Sequence, residues 1–289
     1  METIPVLEAD EFVRRSDAAL VIDVRSPMEY ERAHMPGAKS IPLFTDKERE
    51  LVGTLYKQRG EEPAVLKGLD IAGPKMKSYI QEVGKLTADN KEVLLYCARG
   101  GMRSKSMAWL LSTAGYKPFL LNSGYKAYRT YGREVLEAPK KVKVLGGMTG
   151  SGKTEVLLEL KSMGEQVVDL EGLANHRGSV FGGLGMKRQP RTEHFENLLV
   201  QEWLAIDPGK TVWLEDESRK IGNVTLPFAL FEQMKKSPVL MMDVPFNQRV
   251  NRLVAEYGSF EPGLLKTLIT QITQRLGHQN TGNAKDAID

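Results

Sequence analysis

Lys91-Glu-Val-Leu-Leu-Tyr-Cys-Ala-Arg-Gly-Gly-Met-Arg103 sets a short apolar run directly against a cysteine, two glycines and two arginines. The run from Lys91 to Tyr96 has the length and continuity of a strand covered on both faces, as parallel strands are. Ser104 to Ala114 then follows helical spacing, with Met107, Leu110 and Leu111 on one side and Gly115 as a stop signal. Pro118 to Asn122 reads as the next strand, and upstream Ala19 to Val24 reads as another. Strand, helix, strand in short steps predicts an α/β fold with a parallel sheet and right-handed crossovers. Cys97 therefore stands at the carboxyl end of a strand, where open sheets place their sites.

The chemistry of the loop follows from its residue types. Gly100 and Gly101 let the backbone curl so that several N–H groups face one centre. The helix that follows adds its positive end, and Arg99 and Arg103 add fixed charge. All of these favour a thiolate and a lowered cysteine pKa. Such a cradle suits a sulfur or selenium atom carried on Cys97. A cysteine followed five residues later by an arginine also fits a phosphatase-type loop, and a lone cysteine is often only a small buried hydrophobe.

Composition narrows the rest. The chain has 289 residues, 41% of them hydrophobic, which suits two domains. Its one cysteine excludes an internal disulfide and any multi-cysteine zinc or iron–sulfur site. Neither haem nor flavin is expected. No apolar run reaches a membrane-spanning length, and Met1 to Asp10 lacks the pattern of a signal peptide, so a cytoplasmic location is expected. The net charge of +3 is too small to argue for nucleic acid by itself. His176, Arg177, Lys187, Arg188, Arg191 and His194 nevertheless gather in one glycine-rich stretch. They read either as phosphate contacts or as a solvated loop.

Phe44 to Val83 interrupts the alternation and reads as a largely helical insertion. Ala138-Pro-Lys-Lys141 reads as a linker. A second α/β pattern follows it. Strands are expected at Lys141 to Leu145, Gln166 to Leu170, Thr211 to Glu215 and Pro238 to Asp243. Helices are expected at Lys153 to Met163, Glu193 to Ile206, Phe246 to Tyr257 and Pro262 to Leu276. Residues 277–289 read as a polar, frayed tail. No internal repeat is present.

Gly147-Met-Thr-Gly-Ser-Gly-Lys-Thr154 matches G-x-x-x-x-G-K-[ST] between a strand and a helix, the context this motif requires. The backbone of Gly147, Thr149, Gly150, Ser151 and Gly152 would wrap a phosphate or diphosphate. Lys153 would reach its terminal oxygens, and Thr154 could ligate Mg²⁺. The partner acid is expected after a neighbouring strand. Asp216 in Glu215-Asp-Glu217 is taken for that place, with Glu215, Asp169 and Glu171 as alternatives. Arg249 and Arg252 read as phosphate contacts or as an exposed helix face.

Asp23-Val-Arg-Ser-Pro-Met-Glu-Tyr30, His34-Met-Pro-Gly-Ala38 and Ile41-Pro42, with the Cys97 loop, resemble the rhodanese domain over about 1–137. That likeness implies scaffolding roles for Asp23, Arg25 and His34. A rhodanese-like domain followed by a P-loop NTPase-like α/β domain over 141–276 is an uncommon order. Together with Asp169-Leu-Glu-Gly-Leu-Ala-Asn-His-Arg-Gly-Ser-Val-Phe-Gly182, Glu215-Asp-Glu-Ser-Arg-Lys-Ile-Gly222 and Gly53-Thr-Leu-Tyr-Lys-Gln58, it resembles the tRNA 2-selenouridine synthase family over nearly the whole chain.

The resemblance implies a tRNA-modifying transferase acting on wobble 2-thiouridine. Geranyl diphosphate would alkylate the sulfur, and selenium from selenophosphate would then replace the geranylthio group. Cys97 would handle selenium with Arg99 and Arg103 beside it. His176, Arg177, Arg188, Arg191 and Arg219 become candidate tRNA or substrate contacts, and a selenophosphate-supplying synthetase becomes a candidate partner. The family carries further helices past the position of Leu276, so this chain reads as a short or truncated member. The competing reading is a P-loop kinase or NTPase with a regulatory or sulfur-carrying rhodanese module.

Overall fold

The computed structural model describes residues 3–87 and 90–288, and these form two compact units that divide between Glu134 and Val135. The first unit opens with β1 (Val6–Leu7), α1 (Ala9–Arg15), β2 (Leu20–Asp23), α2 (Pro27–Arg32) and β3 (Lys39–Ser40). Helix α2 starts on a capping box in which Ser26 and Glu29 satisfy each other's backbone donors. Three helices follow in succession: α3 (Asp46–Arg59), α4 (Glu61–Ala72) and α5 (Met76–Leu86). Within the segment from Phe44 to Val83 these helices leave only Phe44, Thr45, Gly60 and a 3-10 turn at Gly73–Lys75 outside them.

β4 (Glu92–Tyr96), α6 (Met102–Thr113), β5 (Lys117–Leu121) and α7 (Gly124–Glu137) complete the alternation. The five strands lie in the order β1-β5-β4-β2-β3, and every neighbouring pair is parallel. β4 sits in the middle with Val93 to Tyr96 buried, which is why its sequence is an unbroken apolar run. α6 ends in a Schellman turn. Gly115 takes φ +84° while its N–H and that of Tyr116 reach back to Ser112 and Leu111. Met107, Ala108 and Leu111 of α6 are fully buried on one face of the sheet. Phe12, Leu94 and Tyr96 pack on the other.

The second unit contains β6 (Lys141–Gly147), α8 (Lys153–Ser162), β7 (Gln166–Val167), α9 (Leu170–Ala174), α10 (Thr192–Leu204) and β8 (Thr211–Glu215). The hairpin β9 (Lys220–Ile221) and β10 (Val224–Thr225) leads to α11 (Phe228–Lys236), β11 (Val239–Met242) and α12 (Phe246–Tyr257). α13 (Pro262–Gln271), α14 (Thr273–Leu276) and α15 (His278–Asp286) follow. The sheet order is β11-β6-β8-β7, all parallel, so the strand feeding the P-loop is internal. Phe195, Leu199 and Trp203 of α10 pack with Val212, Leu214 and Val144 in its core.

Three expectations are corrected. The strand expected over Gln166 to Leu170 stops at Val167, because Asp169 caps α9 by accepting from the Gly172 N–H at 2.7 Å. The helix expected over Pro262 to Leu276 breaks at Ile272. The tail expected to fray from Gly277 instead carries α15, with Thr281 buried and bonded to the Gly277 carbonyl at 2.8 Å. No helix among the described residues is long and apolar enough to cross a membrane.

Candidate active sites

Each unit holds one candidate site, at the carboxyl end of a strand. In the first, β4 delivers Cys97 and α6 begins five residues later, with Gly101 as its N-cap. The loop between them is shaped from below. The N–H groups of Tyr125 and Lys126, at the start of α7, donate to the carbonyls of Cys97 (2.8 Å) and Ala98 (3.1 Å). With those carbonyls tied outward, N–H groups of the loop are left to face the sulfur. Gly100 adopts φ +64° and Gly124 φ +58°. A side chain on Gly124 would run into the Cys97 carbonyl and the Gly100 and Arg99 nitrogens, so only glycine closes this approach.

Cys97 is 3% exposed. The Ser104 hydroxyl, one turn into α6, lies 3.2 Å from Sγ and is placed to donate to it. Burial pushes the thiol up, but hydrogen bonds from Ser104 and from the Arg99 and Ser104 N–H groups, with the charge of Arg103, outweigh that. The thiol is held below its ordinary range, which favours an anion on sulfur.

The two arginines of the loop separate. Arg103 stays half-buried and pairs with Glu29, Nη1 to Oε2 at 2.7 Å, with Arg49 at 3.8 Å from the same carboxylate. Arg99 is exposed and lines a shallow groove with Glu8 and Lys126, so it serves the sulfur through its backbone N–H.

Asp23 and Arg25 form a buried pair at 2.6 Å, and Arg25 also donates to the Ala33 carbonyl and stacks over Tyr125 at 3.9 Å. His34 stacks on Tyr30, with Nδ1 2.9 Å from the Tyr30 carbonyl. These residues hold turns, as the sequence suggested.

In the second unit, β6 runs into the loop Met148 to Gly152 and α8 starts at Lys153. Gly150 and Gly152 take φ +79° and +85°. Lys153 Nζ donates to the Gly147 carbonyl at 3.0 Å, and the buried Ser151 Oγ has no protein partner. α12 lies against the loop. Arg249 donates to the Thr149 carbonyl at 3.3 Å and Arg252 to that of Gly150 at 3.1 Å. Arg252 is in turn fixed by Glu155 at 2.9 Å. Both arginines therefore belong to the phosphate loop, a long-range contact that helical spacing alone leaves open.

A cavity of about 880 Å³ opens over this loop. Thr154 Oγ1 donates to Glu171 Oε2 at 3.1 Å, so Glu171, weighed only as an alternative, is the carboxylate on the P-loop hydroxyl. Asp216 is exposed on the wall of the same cavity, and Glu215 is fully buried, accepting from the Leu170 N–H. Burial and the neighbouring Glu171 carboxylate push Glu217 up to about 8, so the two carboxyls share a proton that Glu217 carries. Among the described residues no three His, Cys, Asp or Glu side chains are grouped as metal ligands.

The five candidate substrate contacts fall into four places. Arg177 lines the P-loop cavity and pairs with Glu256 at 2.8 Å. His176, its Nδ1 unpartnered, and the exposed Arg188 line a groove of about 950 Å³ with Lys187, Lys220 and Arg275. Arg191 is the N-cap residue of α10, and Arg219 covers the Phe228 ring at 5.4 Å; neither lines that cavity or that groove. Ser104, Glu155 and Gly124 were not singled out from sequence. A hydroxyl in the first turn of the helix that follows the Cys97 loop is the readable signal for Ser104.

Comparison with known proteins agrees with this division. A family model for the tRNA 2-selenouridine synthase AAA domain matches residues 140–283, and one for the rhodanese-like domain matches residues 8–131. A tRNA 2-selenouridine synthase of Pseudomonas fluorescens (strain Pf0-1) is 40% identical over 82% of this chain and 65% of its own. The enzyme of that name from Nitrosomonas eutropha is 36% identical over 88% of this chain and 67% of its own. The chain thus spans about two thirds of the length of these curated relatives. A solved N-terminal domain from Clostridium difficile 630 is 38% identical, covers 44% of this chain and 97% of its own, and superposes with a TM-score of 0.42.

Proposed function

The chain belongs to the tRNA 2-selenouridine synthase family, and from that premise we propose that it converts wobble 2-thiouridine in tRNA to 2-selenouridine through an S-geranyl intermediate. Geranyl diphosphate would supply the alkyl group and selenophosphate the selenium. The observation that carries this reading is Cys97, a thiol only 3% exposed yet held below the ordinary thiol range. Burial alone would do the opposite, so the loop is built around a negative charge on that atom.

The chemistry needs two separate aids. A thiocarbonyl sulfur is a poor leaving group, and alkylation turns it into a better one. Water takes the phosphoryl group of selenophosphate beside Cys97, so that the P–Se bond breaks and phosphate leaves; the hydroselenide released there, its negative charge favoured by the loop, attacks C2 and the geranylthiolate departs. In the alkylation the departing group is diphosphate. Lys153, the loop N–H groups and Ser151 would receive its developing charge, with Arg252 fixing the loop.

A magnesium ion fits the acids of this cavity, because Glu171 and Glu217 crowd each other beside Thr154 and hold a proton where a cation would serve. Thr154 and Glu171 would hold it, with Asp216 on the cavity wall, and it would add positive charge beside the diphosphate. His176, Arg177 and Arg188 are the candidate tRNA contacts that the fold brings to a cavity or groove. A cytoplasmic setting and a selenophosphate synthetase as supplier complete the proposal.

The test is mass spectrometry of thiolated tRNA incubated with protein, geranyl diphosphate and selenophosphate. The expected result is a geranylated nucleoside that becomes selenated with Cys97 intact and accumulates in Cys97→Ser. Lys153→Ala should abolish geranylation. ATP turnover with no nucleoside product would reject this reading in favour of a P-loop kinase or NTPase.

A further inference from the structure

Helices α3, α4 and α5 add no strand to the first unit's sheet. Together with α6 they enclose a pocket of about 420 Å³, within the usual range for small-ligand sites. Its walls are apolar: Phe44, Ala64, Val65 and Leu69 from the insertion side, Met107 and Trp109 from α6. Leu69 is 55% exposed and Trp109 43%, so water reaches a surface that ordinary packing would have covered. Its polar lining is one-sided. Arg103, Lys105 and Ser106 all come from the early turns of α6, the helix that follows the Cys97 loop. Arg103 lines the pocket and also lowers the Cys97 pKa, so the pocket and the sulfur centre share a residue. The shape is that of a site for a molecule with a hydrocarbon tail and a polar head directed toward the cysteine loop.

We propose that this pocket takes the geranyl tail of the S-alkylated nucleoside while C2 faces Cys97. The proposal rests on the function given above. It adds a reason for the helical insertion: the group that must leave during selenium exchange is held by its tail rather than released into water. A second copy of the chain is the other conceivable occupant, but the concave form and the cationic edge beside the reactive loop favour a small amphiphile.

The experiment follows tryptophan fluorescence of the full chain titrated with S-geranyl-2-thiouridine. Of the three tryptophans only Trp109 lines the pocket, and Trp203 and Trp213 belong to the second unit. A saturable change is expected, absent with 2-thiouridine and absent in Trp109→Phe. Val65→Phe fills the space and should weaken binding about tenfold or more. Leu69→Glu, at an exposed position, gives the same reading should Val65→Phe fail to fold.

Equal responses to both nucleosides, or undiminished binding in the filled variant, would overturn the proposal. So would a dimer that Val65→Asp dissociates, with no geranyl-dependent signal. Geranylated and selenated tRNA made at full rate by Val65→Phe would reject the pocket and leave the proposed function standing. Tail binding without any tRNA product would do the reverse.

Discussion

Ser104 places its hydroxyl 3.2 Å from Cys97 Sγ, and a hydrogen bond to an anion is stronger than one to a neutral sulfur. Ser104→Ala should therefore move the pH profile of iodoacetamide alkylation at Cys97 to higher pH, with a several-fold slower reaction near neutrality. An unchanged profile would remove Ser104 from the sulfur's support. Glu217 gives a prediction of opposite sign. Its folded carboxyl is raised to about 8, so between the usual carboxylate range and pH 8 the folded chain binds a proton that the unfolded chain has lost. Stability from this group is complete at low pH and declines as pH rises through that window. Glu217→Gln should match the parent near pH 4 and exceed it at pH 8 by ~1–3 kcal/mol in urea unfolding. Which acid meets Thr154 was not legible in the sequence. Asp169, Glu171 and Asp216 follow strands and Glu215 ends one, and Glu171 meets the hydroxyl from the helix that Asp169 caps.

Among the elements, α7 is the support for the Cys97 loop, because its first N–H groups hold the loop's carbonyls. Gly124→Ala brings both a left-handed conformation and a collision with the loop backbone. A loss of roughly 2–4 kcal/mol is expected in denaturant unfolding, with slowed thiol alkylation. A change below the error of measurement would show that the loop shapes itself.

The helices and strands nearest the two motifs were readable because their apolar residues repeat with a clear period. The elements misread lack that signal. α15 is polar, and among its residues only Thr281 is buried. β7 ends where a capping side chain competes with the sheet. The place of α12 on the P-loop depends on Arg249 and Arg252 meeting carbonyls about a hundred positions away, which no local pattern encodes.

At the scale of the molecule, two sheets with separate cores predict two steps on heating. Calorimetry with diphosphate and magnesium should raise one transition and leave the other in place. Ligand at a hundred times its Kd contributes about 2.7 kcal/mol, a shift of roughly 5–11 °C for a unit of this size. A single transition that moves as a whole would mean the units melt together. The order of the units was legible from two motifs, because each is a loop whose backbone glycine and a helix start must shape. The apolar pocket was not, since its walls come from five separate segments of chain.

Cys97 is the chain's one cysteine, and it is buried. Redox enzymes commonly discharge a loaded sulfur onto a neighbouring thiol, closing a disulfide. This chain has no such second thiol, so an atom loaded on Sγ would have no other cysteine of the chain to pass to. It would go to the substrate or to a thiol from outside, and an intact-mass spectrum of the protein would read the loaded fraction directly as a single added increment.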